Sequence, residues 1–124
     1  MKVLIVDDSS FSQRILSSLI KKYLLDDTQI HYAKDGEEGL EQYKRINPDY
    51  TFVDLLMPKL NGTELIKLIK KYDDASKIIV VSADVQKSTK EELESYGILE
   101  FFNKPFNDEN AKYICKIIGN QYGK

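Results

Sequence analysis

The sequence predicts a doubly wound α/β fold, in which helices cover both faces of a five-stranded parallel sheet. Short apolar runs alternate with segments of helical period five times along the 124 residues. The first and fourth runs, Val3–Val6 and Ile78–Val81, are continuous and consist of β-branched or leucine residues, which is typical of strands covered on both faces. Strand–helix units in series favour parallel pairing, because parallel neighbours need long right-handed crossovers.

The composition of the five strand candidates distinguishes the centre of the sheet from its edges. The second and fifth runs are more mixed in composition than the first and fourth, and the fifth is also shorter, as edge strands tend to be. The predicted strands, in chain order, are Val3–Val6, Ile30–Ala33, Tyr50–Val53, Ile78–Val81 and Glu100–Phe102.

A segment of helical period follows each predicted strand. In the first segment Phe11, Ile15, Leu19 and Ile20 keep a helical spacing, and a serine at position 9 or 10 can cap its start. The remaining helices are predicted from Gly36 to Arg45 behind a capping Asp35, after Asn61–Gly62, around Leu93 as far as Gly97, and from Ala111 to a stop near Gly119.

Composition and charge limit the class of protein. The chain is 42% hydrophobic and 31% charged, with 18 basic and 20 acidic residues, so it lacks the basic excess typical of nucleic-acid binders. Its single cysteine, Cys115, cannot form an internal disulfide, which indicates a reducing compartment. We see no signal peptide and no apolar run of membrane-spanning length. We therefore expect one cytoplasmic domain over residues 1–124, with no direct nucleic-acid or membrane partner.

Polar side chains follow four of the predicted strands. In open parallel sheets, ligands bind beyond the carboxyl ends of the strands. Asp7 and Asp8 follow the first strand, Asp54 the third, Ser82 the fourth and Lys104 the fifth. The topology therefore predicts that three carboxylates, a hydroxyl and an ammonium lie together at one edge of the sheet.

These groups suit phosphoryl transfer assisted by a divalent cation. Carboxylates with open water positions suit Mg²⁺, and an aspartate can attack phosphorus to give an aspartyl phosphate. A hydroxyl and a lysine can each hold a phosphoryl oxygen. Asp54 is the best candidate nucleophile, because it alone follows a central strand without an acidic neighbour. Taken singly, Asp7 and Asp8 could instead cap a helix, Ser82 could be an ordinary strand-end hydroxyl, and Lys104 could be a surface lysine.

Four motifs together carry a resemblance to a known family. "VDDS", "VDLLMPKLNG", "VVSAD" and "NKPF" occur in this order at suitable spacings, and the set resembles the receiver domain of two-component response regulators. The opening "DDSSFSQRIL" is similar to the stand-alone chemotaxis regulators of that family. The resemblance covers the whole chain and implies a flavodoxin-like (βα)5 sandwich with strand order 2-1-3-4-5.

The resemblance implies a role for each residue of the predicted site. Asp54 accepts the phosphoryl group, Asp8 binds Mg²⁺ directly, and Asp7 binds it directly or through a water. The backbone carbonyl of Leu56 is implied as a further Mg²⁺ ligand. Lys104 pairs with the phosphoryl group.

Other implied roles concern the switch and its kinetics. Ser82 takes the switch-hydroxyl position, and a cis peptide bond is expected between Lys104 and Pro105. Phe101, three residues before the lysine, takes the switch-aromatic position, where the family often has tyrosine. Leu56 and Asp84 occupy two variable positions that tune dephosphorylation in the family.

The resemblance also implies partners and an output. A sensor histidine kinase or phosphotransfer protein would supply the phosphoryl group. A downstream protein, of which a flagellar motor switch is one candidate, would read the face formed by helix four, strand five and helix five. We expect a monomer, with dimerisation on phosphorylation left open. Beyond its own phosphorylation and dephosphorylation, no enzymatic activity is expected.

Three alternatives remain. The chain could be a receiver fragment of a longer transcriptional regulator, although the ending "IIGNQYGK" favours a stand-alone protein. A Mg²⁺-dependent phosphohydrolase would need a second acid two positions after its nucleophile, whereas position 9 is Ser9, and it would need room for a cap domain. A flavin binder on the same fold would want a neutral, hydroxyl-rich first loop, which Asp7 and Asp8 contradict.

Overall fold

Five strands and five helices alternate along the chain. The structure, a computed structural model, describes residues 1–24, 27–83 and 86–122. The elements are β1 (Lys2–Val6), α1 (Ser10–Lys21), β2 (Gln29–Ala33), α2 (Gly36–Ile46), β3 (Tyr50–Val53), α3 (Gly62–Tyr72), β4 (Ile78–Ser82), α4 (Lys87–Ser95), β5 (Glu100–Asn103) and α5 (Asp108–Tyr122).

The strands form one parallel sheet in the order β2-β1-β3-β4-β5, which confirms the predicted topology. The register sets Val6 beside Ala33 on one side and Val53 on the other. The last residues of β1, β2 and β3 are therefore aligned, and the residues that follow them emerge at one edge of the sheet.

Alternation along the strands divides the core into two layers. Val3 and Ile5 of β1 point to the face covered by α1 and α5, whereas Leu4 and Val6 point to the face covered by α2, α3 and α4. In β5 the neighbouring Phe102 and Phe101 divide in the same way, with Phe102 buried in the first layer and Phe101 packed against the second. Helices thus cover both faces of the sheet, as predicted.

The buried face of α1 differs from the apolar spacing noted in the sequence. Gln13, Leu16, Ser17 and Ile20 are the buried residues of this helix, and Ser9 is its cap. The apolar side chains at positions 11 and 15 are instead 65% and 38% exposed. The helix was predicted correctly, but residues with a regular helical spacing need not lie on its buried face.

The predicted stop of α5 near Gly119 is wrong, because the helix continues to Tyr122. A Cβ atom at Gly119 would meet no atom within 4 Å, so neither packing nor a left-handed turn requires a glycine there. The Tyr50 hydroxyl at the start of β3 donates to Oε1 of Gln121 at 2.8 Å. This hydrogen bond ties the last turn of α5 to the sheet.

Gly62 allows α3 to begin directly against the segment that follows β3. A Cβ atom there would collide with the carbonyl oxygen of Asp54 and with Cα of Leu55. The Gly62 N–H donates to the Leu55 carbonyl at 3.0 Å, and the Asn61 side chain caps α3 through the N–H of Glu64. The backbone beside Asp54 is therefore held close to the start of α3.

Within the described ranges, no helix combines the length and the apolar character needed to cross a lipid bilayer.

Candidate functional site

Three carboxylates converge at the carboxyl edge of the sheet. Asp7 and Asp8 follow β1, Asp54 follows β3, and each offers an oxygen within 4.8 Å of the others. Asp7 and Asp54 are only 5% and 6% exposed, whereas Asp8 is exposed to solvent. Two buried anions and one accessible anion therefore share a small volume.

Lys104 bridges the two buried acids. Its ammonium donates to Oδ2 of Asp7 at 3.0 Å and to Oδ2 of Asp54 at 3.2 Å. A third contact, at 3.4 Å, reaches the hydroxyl of Ser12 on α1. The N–H of Lys104 donates to the carbonyl of Ser82 at 2.9 Å, which places the lysine directly beyond the β4–β5 pair.

The environment of Asp7 disfavours an uncompensated negative charge. Burial is the largest effect and raises the pKa of this carboxyl above its ordinary value, and the nearby Asp54 adds to the rise. The N–H of Ser9, which donates to Oδ1 at 2.9 Å, and the Lys104 ammonium lower the pKa without cancelling the rise. One ammonium is thus insufficient to compensate the acids around it.

The same cluster stabilises the charged form of Lys104. Burial is the largest effect and lowers its pKa, but the hydrogen bond to Asp7 and the charges of Asp54 and Asp7 together outweigh it. The pKa of Lys104 is therefore raised above its ordinary value. The lysine is a fixed cation at any physiological pH.

The structure places the other predicted residues around this cluster. Ser82 is the last residue of β4 and is fully buried. Phe101 is half-buried in β5, with the Lys90 ammonium 5.8 Å from its ring centre. The peptide bond between Lys104 and Pro105 is cis, as expected.

Of the two variable positions, Leu56 and Asp84, the structure describes only Leu56. The N–H of Leu56 donates to Oδ1 of Asp54 at 3.3 Å, and the Leu56 side chain is 59% exposed beside the acids. Asp84 lies outside the described residues.

Two residues of α1 reach the site without having been predicted there. Ser12 contacts the lysine, and the amide of Gln13 donates to the backbone carbonyls of Asp7 and Ala33. The sequence does contain a signal for Gln13. It lies three residues before Leu16 and seven before Ile20, a spacing that puts its polar side chain on the same helix face as these two apolar residues.

An apolar cavity of about 310 Å³ adjoins the acids. Phe11 and Ile15 of α1 line one side, Pro105 and Phe106 line another, and Asp7, Ser12 and Lys104 lie at its polar end. The exposed apolar residues of α1 therefore border the site.

The donor set fits a hard divalent cation. Three carboxylate oxygens lie within reach of one another, and the acid that is exposed leaves room for water ligands. The burial of Asp7, which Lys104 and Ser9 compensate only in part, is also a condition that a bound cation would relieve. Asp7, Asp8 and Asp54 are the residues that could hold such an ion.

An open parallel sheet in the order β2-β1-β3-β4-β5, with helices on both faces and an acid cluster at its carboxyl edge, defines this chain as a doubly wound α/β protein of the flavodoxin-like class. Residues 3–115 match the sequence model of the response regulator receiver domain. The chain belongs to that family, and its predicted resemblance is confirmed.

Stand-alone chemotaxis proteins are among its relatives. Chemotaxis protein CheY of Thermotoga maritima is 39% identical over 105 residues, which cover 85% of this chain and 86% of that protein. CheY of Bacillus subtilis is 31% identical over 89% of this chain and 90% of that protein. The CheX–CheY–BeF3–Mg²⁺ complex from Borrelia burgdorferi contains a chain that superimposes with a TM-score of 0.84 at 27% identity, over 100% of this chain and 90% of that one.

Proposed function

We propose that this chain is a phosphoaccepting switch, which takes a phosphoryl group onto Asp54 and changes its binding to a partner. The observation that carries the proposal is the convergence of Asp7, Asp8 and Asp54 within 4.8 Å, with Lys104 bridging two of them. An acceptor carboxylate, two further cation ligands and a fixed ammonium are the groups that transfer to an aspartate requires.

In the transfer step, a carboxylate oxygen of Asp54 attacks the phosphorus of the donor. A new O–P bond forms, and the bond between phosphorus and the donor atom breaks, so that the donor leaves with the electron pair. Lys104 lies 3.2 Å from Asp54 and would hold a phosphoryl oxygen as charge develops. Ser82, at the end of the neighbouring strand and at the family's switch-hydroxyl position, would hold a second phosphoryl oxygen through its hydroxyl.

Asp7, Asp8, Asp54 and the backbone carbonyl of Leu56 would hold Mg²⁺. When bound, Mg²⁺ would neutralise charge on the acids and on the transferring phosphoryl oxygens. The exposed Asp8 is the most accessible of the acids to an entering cation. A complex of a relative with BeF3 and Mg²⁺ supports this choice of ion.

The output would be a change in the face formed by α4, β5 and α5. Phosphorylation adds charge at the carboxyl edge of the sheet, and Ser82 and Lys104 would move toward it. Phe101 lies on β5 and packs against the core layer that contains Leu93 of α4. A shift of β5 would therefore move the Phe101 ring and change its packing against α4. Because Phe101 lacks a hydroxyl, burial of its ring would have to carry the switch without a side-chain hydrogen bond.

A sensor histidine kinase or a phosphotransfer protein would be the donor. The relatives named CheY support a chemotaxis pathway in the cytoplasm, with a flagellar motor switch as one candidate target. Receiver domains also occur within longer relatives: this chain spans 28% of a protein-glutamate methylesterase/protein-glutamine glutaminase of Geobacter sulfurreducens. We infer output by protein binding, with Leu56 and Asp84 as the positions that set the phosphoryl lifetime.

Intact mass spectrometry after incubation with acetyl phosphate and Mg²⁺ tests the proposal. Wild type and Asp49→Asn, which changes an exposed acid at the opposite end of the sheet, should both gain one phosphoryl group. Asp54→Asn should gain none. The proposal fails if wild type is not modified, or if Asp54→Asn is modified to the same extent.

A further inference from the structure

The buried amide of Gln13 joins the ends of two strands directly beneath the acids. This side chain is only 8% exposed, and its Nε2 donates to the carbonyl of Asp7 at 2.8 Å and to the carbonyl of Ala33 at 3.2 Å. The amide nitrogen has two N–H groups, so each carbonyl receives one. The N–H of Asp7 also donates to Ala33, at 3.0 Å, and the three groups form a closed hydrogen-bonded link.

One of these bonds fixes the peptide group that precedes Asp8. The carbonyl of Asp7 belongs to the planar unit shared with Asp8, so its direction determines the direction in which the Asp8 backbone leaves β1. The side chain of Asp7 is held by Ser9 and Lys104, but the side chain of Asp8 is exposed and packing does not orient it. The bond from Gln13 therefore fixes the peptide group before the accessible acid, while the bond from the Ser9 N–H to Asp7 fixes the peptide group after it.

We propose that Gln13 is a positioning residue that makes the acid site selective for Mg²⁺ over Ca²⁺. This inference rests on the proposed function, in which Asp7 and Asp8 hold Mg²⁺. It assigns to α1 a part in shaping the ion site, through the backbone of a ligand residue and without contact with the ion.

The difference between the two ions gives the physical reason. Mg²⁺ needs near-ideal octahedral ligands at short distances, whereas Ca²⁺ accepts six to eight oxygens in flexible arrangements. If the peptide before Asp8 can tilt, the angle between the two acids changes, and the ion with the stricter geometry loses more affinity. Groups that orient ligands from behind affect metal affinity about 10- to 100-fold when they are removed.

Gln13→Met tests the role, because methionine keeps the volume and removes both donors. Isothermal titration with MgCl2 and with CaCl2 gives the two dissociation constants for each protein. We expect Gln13→Met to weaken Mg²⁺ binding about tenfold, the low end for outer ligand-orienting groups. Ca²⁺ binding should weaken less than about threefold, because its coordination tolerates displaced ligands.

Ser17→Ala is the matched control. Ser17 is also buried on α1 and also bonds to β2, through the hydroxyl of Tyr32 at 2.8 Å, but it lies one turn farther from the acids. This variant should keep the wild-type ratio of Mg²⁺ to Ca²⁺ affinity, even if its melting temperature falls as much as that of Gln13→Met. Circular dichroism verifies folding, and Gln13→Asn, whose amide is one methylene shorter, replaces Gln13→Met if the latter does not fold.

The outcomes separate this inference from the proposed function. If wild type binds Mg²⁺ and Gln13→Met lowers the Mg²⁺/Ca²⁺ ratio while Ser17→Ala does not, the positioning role holds. If wild type binds Mg²⁺ and the ratio is the same in all proteins, the role of Gln13 is wrong and the proposed function stands. If wild type does not bind Mg²⁺, the proposed function and this inference are both overturned.

Discussion

Asp8→Asn should stabilise the metal-free protein. The substitution keeps the size of the side chain and removes one negative charge from the cluster of Asp7, Asp8 and Asp54. In the unfolded chain Asp7 and Asp8 remain neighbours in sequence, so their mutual repulsion partly persists. The repulsion between Asp8 and Asp54 arises only on folding, and it is this contribution that the asparagine removes.

The distance between the acids sets the size of the effect. Oxygens of Asp8 and Asp54 lie within 4.8 Å, and Coulomb's law gives a repulsion of about 0.9 kcal/mol at the dielectric constant of water, or about 3.5 kcal/mol at a constant of about 20. Asp8 is exposed, which favours the lower value, and the ammonium of Lys104 offsets part of it. We expect a gain of about 1 kcal/mol, or about 4 °C in melting temperature for a domain of this size.

Thermal unfolding followed by circular dichroism measures the gain. In EDTA at low ionic strength, Asp8→Asn should melt above wild type. About 1 M NaCl should narrow the gap, because the screening length then falls to about 3 Å. Added Mg²⁺ should narrow the gap further, since an ion at ten times its dissociation constant stabilises wild type by about 1.4 kcal/mol and the variant by less.

Glu41→Gln provides the control for net charge. It removes the same charge from an exposed position on α2, outside the cluster, and its melting temperature in EDTA should equal that of wild type. The reasoning is refuted if Asp8→Asn melts below wild type in EDTA and responds to Mg²⁺ as wild type does. That result would mean that Asp8 supports the fold and does not serve a cation.

Two further predictions concern backbone packing and alkaline pH. Gly62→Ala would set a Cβ atom against Asp54 and Leu55, and it should lower the free energy of unfolding by about 1–3 kcal/mol. Gly119→Ala meets no obstruction and should raise the free energy of unfolding by about 0.5–1 kcal/mol. Urea titration measures both changes. Burial raises the pKa of Cys115 from 9.0 to about 11, so the folded state retains this proton more strongly and stability falls as pH rises through that window. Between pH 8 and 11, wild type should lose on the order of 2 kcal/mol more than Cys115→Ala in urea titrations; equal losses would contradict this.

The sheet could be predicted because the composition of each strand depends on whether one or both of its faces are buried. Val3–Val6 and Ile78–Val81 are apolar throughout because helices cover both faces, and the structure buries every residue of both runs. The convergence of Asp7, Asp8 and Asp54 followed from topology, since the carboxyl ends of parallel strands share an edge. The order of the strands came from the family motifs, because periodicity alone does not choose among parallel orders.

The interior side of α1 and the end of α5 could not be predicted in the same way. Phe11 and Ile15 are apolar yet exposed, since they border a cavity beside the acids and not the core. Gln13 is polar yet buried, because its amide donates to the carbonyls at the ends of β1 and β2. Gly119 is a typical helix stop, but the helix continues past it, and a hydrogen bond from the distant Tyr50 holds its last turn. In each case a tertiary contact overrides a local preference.

The contacts of Lys104 explain why a second cation belongs in the proposed mechanism. A lysine ammonium has three donors, and here they reach Asp7, Asp54 and Ser12. A phosphoryl group on Asp54 would compete for these donors and draw the ammonium away from Asp7. Since a buried carboxylate that loses its ion-pair partner is costly, another positive charge near Asp7 would offset that cost. A divalent cation held by Asp7 and Asp8 would supply that charge and would leave Lys104 free to follow the phosphoryl group.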